Sequence, residues 1–161
     1  MSPLLLAIVL LPRVEAQGLL AWDQGIHGGF GPGAGARISF PISSGNRVGN
    51  FSDELAFTAG AAYLHFECPY GKNCADAHTI YVPIALAWSF AIHPRVSVFV
   101  EPGIAAFISA FRETCPMDVT CAPYDHFGLR PVVDLGIAAH LGPVHIVFRA
   151  GFPTFSLGLG M

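Results

Sequence analysis

Seven ionisable side chains sit in stretches that are otherwise apolar: Arg37, Glu101, Arg130, Asp134, His140, His145 and Arg149. Guanidinium and carboxylate groups gathered in such surroundings pair through charge-assisted hydrogen bonds. They make either a fixed ion network or a gated path for protons and ions, and the fixed network is the reading with more support. His140 and His145 are two nitrogen ligands, fewer than a metal site needs. Ser109, Asp125 and His126 contain the nucleophile, carboxylate and base of an acyl-transfer site, without a spacing that fixes their geometry. Asp76, His78, Asp125 and His126 form a repeated acid and imidazole pattern that suits a divalent cation. No motif calls for a cofactor or a resident metal. The glycines between Gly25 and Gly35 lack the strand and helix context of a nucleotide loop and fit close strand packing.

The four cysteines carry a second kind of chemistry. Cys68 and Cys74 bracket one segment and Cys115 and Cys121 another, each with the pattern CPxxxxCA. The flanks also match, which points to a duplicated strand-loop-strand unit, residues 55 to 92 and 95 to 141. In an exported chain four cysteines read as two disulfides. Of the three possible pairings, closure within each loop is the shortest. Zinc ligation is disfavoured, because neither pair has the usual two- to four-residue spacing.

The elements that must position these groups are strands. From Thr79 to Ile92 the large residues Ile80, Val82, Ile84, Leu86, Trp88, Phe90 and Ile92 alternate with Tyr81, Pro83, Ala85, Ala87, Ser89 and Ala91. Period-2 alternation of this length is a strand signature. The same alternation puts Arg130, Asp134 and His140 opposite Leu129, Val133, Leu135, Ile137 and Leu141, and His145 and Arg149 opposite Val144, Ile146 and Phe148. Arg37 and Glu101 follow the rule as well, while segment 55 to 67 is compatible with either face. A soluble barrel or sandwich turns its apolar residues inward. Here the charges share the narrow side, which predicts a polar lumen and an apolar exterior.

Eight strands are predicted at about 18–30, 33–42, 55–67, 79–92, 95–110, 127–141, 144–151 and 154–161. If Gly31-Pro32-Gly33 and Phe152-Pro153 are bends inside longer strands, the count falls to six. Gly142-Pro143 suits a type II′ hairpin turn with Gly at positive φ, which makes His140 and His145 cross-strand neighbours. At His93-Pro94-Arg95 parity asks for a three-residue loop.

Residues 1 to 16 read as a secretory leader: an apolar run from Leu4 to Leu11, then Val14-Glu15-Ala16 ahead of a cleavage point at Gln17. The mature domain is 17 to 161. Its apolar fraction belongs to a chain that is 53% hydrophobic and 12% charged, against roughly 25% charged in a soluble domain. No later segment qualifies as a spanning helix, and a closed barrel is the other structure that satisfies its backbone in lipid. A net charge of -3 leaves no basic surplus for nucleic acid.

In this pattern the chain resembles the small outer-membrane barrels of the OmpA and OmpX type, from residue 17 to 161. It departs from them in ending on Met161 rather than Phe or Trp. The resemblance implies an all-β, antiparallel up-and-down barrel in the outer membrane of a Gram-negative cell, with lipids and the barrel assembly machinery as partners and cystine loops facing outward. A structural or surface-interaction role, with an unidentified surface partner, is the leading expectation. The alternatives are an outer-membrane lipid-modifying enzyme and a secreted soluble barrel that binds a small apolar ligand.

Overall fold

The computed structural model describes residues 12–22, 30–48, 51–66, 76–112 and 124–161, with the backbone alone described at 46–48, 51, 76, 111–112 and 124–126. Eight strands follow one another: β1 Arg13–Trp22, β2 Phe30–Val48, β3 Phe51–Phe66, β4 Asp76–His93, β5 Val96–Arg112, β6 Tyr124–Leu141, β7 Val144–Phe152 and β8 Thr154–Gly160. Each is antiparallel to its neighbours in sequence, and β1 pairs with β8, so the sheet closes as an up-and-down barrel. The six-strand alternative is excluded. The four cysteines lie outside the described residues, and so do their pairings.

Closure is completed at the chain end. Val14 N–H donates to the Met161 carbonyl at 3.2 Å, and Met161 N–H donates back to Val14 at 3.0 Å. β1 therefore starts at Arg13, inside the stretch that the sequence assigns to a leader, and it ends at Trp22 rather than near residue 30. Gly31-Pro32-Gly33 is no joint: it lies within β2. A Cβ on Gly31 would stand 2.5 Å from the Phe66 ring, so the glycine lets that ring lie flat on the wall. Phe152-Pro153, by contrast, is a true joint between β7 and β8, with a cis peptide bond.

Two hairpins confirm how register follows from turn chemistry. Gly142 adopts φ 71°, and the Gly142-Pro143 turn sets Leu141 against Val144 and His140 against His145, as its sequence predicts. At the other hairpin the prediction of a three-residue loop fails. His93 pairs with Val96 across a two-residue turn, and a bulge between Ala91 and His93 supplies the extra residue. Parity is thereby kept, with Trp88 opposite Val100 and Glu101 on the inner face.

Side chains alternate in and out along every strand. Ile80, Ile84, Leu86, Trp88, Leu129, Val133, Leu135, Ile137, Phe148, Leu157 and Leu159 are exposed on the outside, while Glu15, Arg37, Glu101, Asp134 and Arg149 are buried within. The ambiguous segment of β3 resolves with Phe57 and Tyr63 outward and Ala56, Thr58, Ala62 and Leu64 inward. The end of the barrel at which β1 begins, β8 ends and the Pro94-Arg95 and Gly142-Pro143 turns lie is called the turn end; the other, at which β1, β3 and β5 end, is the loop end.

Because Arg13 to Ala16 pair with β2, Glu15 and Ala16 pair also with β8 and Val14 bonds to Met161, a chain refolded from Gln17 is expected to be less stable than one refolded from Arg13. The difference should be about 3 kcal/mol, since Glu15 is one half of a buried ion pair. Urea unfolding of the two chains in the same detergent checks this; equal midpoints and slopes would contradict it.

Candidate functional site

The lumen is layered. Toward the loop end Leu19, Ala21, Leu64, Phe66, Tyr81 and Val132 form an apolar plug, with Phe107 packed against it. An eight-stranded barrel is just narrow enough for side chains to fill. Here Leu, Phe and Tyr fill one half.

Below the plug runs a chain of alternating charge. Glu15 receives Arg149 Nη1 at 2.5 Å and Nη2 at 2.9 Å. Arg149 Nε donates to Glu101 Oε2 at 3.0 Å. Glu101 Oε1 lies 2.6 Å from Arg37 Nη1 and also accepts a hydrogen bond from the Thr58 hydroxyl. Arg37 Nη2 is 3.8 Å from Asp134 Oδ2, where the chain ends. The Arg149 guanidinium also sits over the Phe99 ring, 5.2 Å from its centroid. Five strands, β1, β2, β5, β6 and β7, each contribute one charge, so the network ties the wall together across the lumen.

Toward the turn end the inner positions become small. Ser39, Ala56, Ala87, Ser89, Ser97 and Ala138 leave a vestibule of about 420 Å³ whose floor is Glu101 and Arg149. At its mouth Arg13 makes two 2.7 Å bonds to Glu54. His140 and His145 line the same vestibule, with ring centroids 6.1 Å apart, and His140 Nε2 lies 3.1 Å from Ser97 Oγ. Hydrogen bonding to a neighbour, rather than metal ligation, is the role this geometry gives His140. Among the described residues no group of three or more His, Cys, Asp or Glu is placed to hold a metal ion.

Of the seven residues singled out in the sequence, Arg37, Glu101, Asp134 and Arg149 meet in one network, and His140 and His145 stand at the vestibule. Arg130 does not join them. It is exposed near the loop end, with its guanidinium 5.5 Å from the centroid of Phe107. Parity turned it inward, but it lies two pleat repeats above Asp134 and on the far side of Val132. Glu15 was missed because it fell within the apparent leader; the alternation Arg13, Glu15, Gln17, Leu19 against Val14, Ala16, Gly18, Leu20 carried the signal. Thr58 was missed because the face of β3 was undetermined. For the acyl-transfer candidates, Ser109 stands opposite His126 in register, and its hydroxyl is 2.8 Å from that of Thr79. The side chains of Asp76, Asp125 and His126 lie outside the described residues. His78 belongs instead to an outer-face cluster, accepting or sharing a hydrogen bond with Tyr63 and stacking near His65.

The closed eight-stranded sheet and its filled lumen can be set beside known structures. The attachment invasion locus protein Ail of Yersinia pestis superposes with a TM-score of 0.64 at 11% identity, over 92% of this chain and 93% of that one. The chain has the fold of a small outer-membrane barrel. Neisserial surface protein A gives 0.56 at 13% identity over 92% of each chain. The outer membrane enzyme PagL gives 0.50 at 16% identity, covering 91% of this chain and 98% of its own. No protein-family model matches the sequence, and no curated protein matches it. The likeness is thus one of fold.

Removing Arg149 strands Glu15 and Glu101 in a buried layer. Arg149→Met is expected to cost about 3–5 kcal/mol, as breaking a buried pair does, whereas Arg130→Ala, at an exposed position, should stay within about 0.5 kcal/mol of wild type. Unfolding in urea with the barrel in detergent micelles measures both, and similar losses at the two positions would contradict the layered lumen.

Proposed function

We infer that this chain is an integral outer-membrane barrel whose role is surface interaction rather than catalysis or transport. The observation that carries the membrane half is the inverted polarity of a closed sheet. Large apolar side chains cover the outside, and the charges are paired within. Each strand has an antiparallel neighbour on both sides in the closed ring, as lipid requires of a spanning sheet. Aromatic residues mark the two levels where a bilayer would end: Trp22 stacked on Phe30 and the exposed Tyr63 toward the loop end, and Trp88, whose indole N–H donates to Asp53 at 3.1 Å, toward the turn end. Outer-membrane lipids and the barrel assembly machinery are the partners this reading requires. The apolar run from Leu4 to Leu11, which precedes β1, supports export by the same route.

The surface role is supported by unequal strand lengths. β7 and β8 have 9 and 7 residues, against 18 in β6. The β6–β7 ladder stops at Val133 opposite Phe152, so Tyr124 to Val132 pair with β5 alone among the described residues. An open strand edge in hydrocarbon costs several kcal/mol per unpaired group. This part of β6 therefore stands clear of the lipid, and its free edge and the 63% exposed Phe127 and Leu129 offer an added strand both hydrogen bonds and apolar contact. The plug and the ion layer argue against a channel, and no observation on Ser109 favours catalysis.

Expressed in a Gram-negative host, the protein should fractionate with the outer membrane and run as a heat-modifiable band. Recovery of the mature chain as a detergent-independent monomer would leave the soluble alternative in its place. Planar bilayers should show no stepwise conductance. For the edge, amide exchange of Tyr124 to Val132 should be at least tenfold faster than that of Val133 to Leu141 in the same strand; equal protection would remove the docking edge.

A further inference from the structure

The charge chain does not balance. Glu15, Glu101 and Asp134 face only Arg37 and Arg149, so the buried cluster carries one negative charge in excess. Asp134 has no further cation beside it, and His145 stands across Gly160 from Glu15, at the opposite end of the charge chain. Arg13 is engaged by Glu54 at the vestibule mouth, Arg130 lies exposed beyond the plug, and His140 and His145 stand toward the turn end. An unpaired charge in a water-poor interior is costly enough that the group neutralises instead.

The position of the excess is marked by geometry. Glu101 and Asp134 are direct cross-strand partners on β5 and β6, the spacing at which like charges repel. Both lean on Arg37. Glu101 holds the closer contact and has Arg149 and Thr58 besides, whereas Asp134 is left at 3.8 Å. Asp134 Oδ1 is buried without a hydrogen-bond partner. Beyond Arg149 on β7, which Glu15 and Glu101 engage, the remaining walls offer no cation: β1 presents Glu15 and Gln17, β3 Thr58, β8 Thr154 and Ser156, and β7 Gly151 beside Asp134. Asp134 Oδ1 sits 2.0 Å from where a Cβ on Gly151 would stand. The carboxyl thus occupies the space that a side chain at position 151 would fill.

We propose that the lumen is a binding site for a single proton, shared by the Glu101 and Asp134 carboxyls and carried on Asp134. Two carboxyls that share one cation hold one proton between them. Gly151 brings no side chain to Asp134 Oδ1, which lies against the β7 backbone without a cation of the protein beside it. The proton comes from and returns to water in the vestibule, forming and breaking only a carboxyl O–H bond.

Refolding the full chain in detergent at pH 5 should therefore take up close to one more proton than refolding Asp134→Asn, read with an indicator dye in weak buffer. The unfolded chain releases that proton above the ordinary aspartate range, near 3.9. Above it, the wild-type folding constant should fall by up to tenfold per pH unit relative to D134N, until Asp134 ionises in the folded barrel. Independently of any variant, labelling aspartate with ¹³C should reveal a protonated-carboxyl infrared band in the folded wild type, which keeps the test decisive if D134N does not fold. Equal proton uptake and the lack of such a band overturn the proposal. So does a wild-type stability that depends on sodium or potassium over choline at fixed pH, which would assign the balancing charge to a metal cation.

Discussion

A sheet that closes on itself has to find a partner for every main-chain group, and the rest of this molecule depends on that closure. β1 and β8 complete it, down to the reciprocal bonds between Val14 and Met161. Once the ring is shut, alternation along the strands leaves each residue only two places to go. The outside takes Leu, Ile, Val and Phe; the inside takes whatever can be accommodated in a bore about two side chains across. The charged network is a consequence of this geometry. Arg and Glu are long enough to meet across the lumen, and their mutual pairing lets them remain there without water.

The interior is divided between two solutions to the same filling problem. Toward the loop end it is packed with aliphatic and aromatic groups, while toward the turn end alanines and serines leave it hollow. The ion layer separates the halves. Its members come from five strands that are distant in sequence, so it forms only when the whole ring has assembled, and it links strand register to closure.

Much of this was legible in the sequence because a period of two needs no knowledge of partners. Ile80 to Ile92 announced both a strand and its faces, and Gly142-Pro143 fixed the register of β6 and β7 through turn chemistry alone. The failures share a cause. At Ala91 to His93 a bulge restored parity that sequence counting assigned to a longer loop, since a bulge leaves no compositional mark. Glu15 lies where export signals and a first strand overlap, and local composition cannot separate the two. Arg130 shows that parity gives direction but not height: alternation turned it inward, and only the staggered ladder placed it above the charges.

The short flank formed by β7 and β8 has a consequence for the surrounding lipid. Seven residues in β8 span about 24 Å along the strand and, at the usual tilt, roughly 17–20 Å across a membrane. That is less than the apolar band of about 25 Å on outer-membrane barrels. In the membrane setting proposed for it, a bilayer in contact with this flank would have to dip to meet it, while the longer wall of β2 to β6 would prop it up on the other side. The barrel would then act as a wedge, thinning its annular lipid on one side and favouring short or disordered acyl chains there.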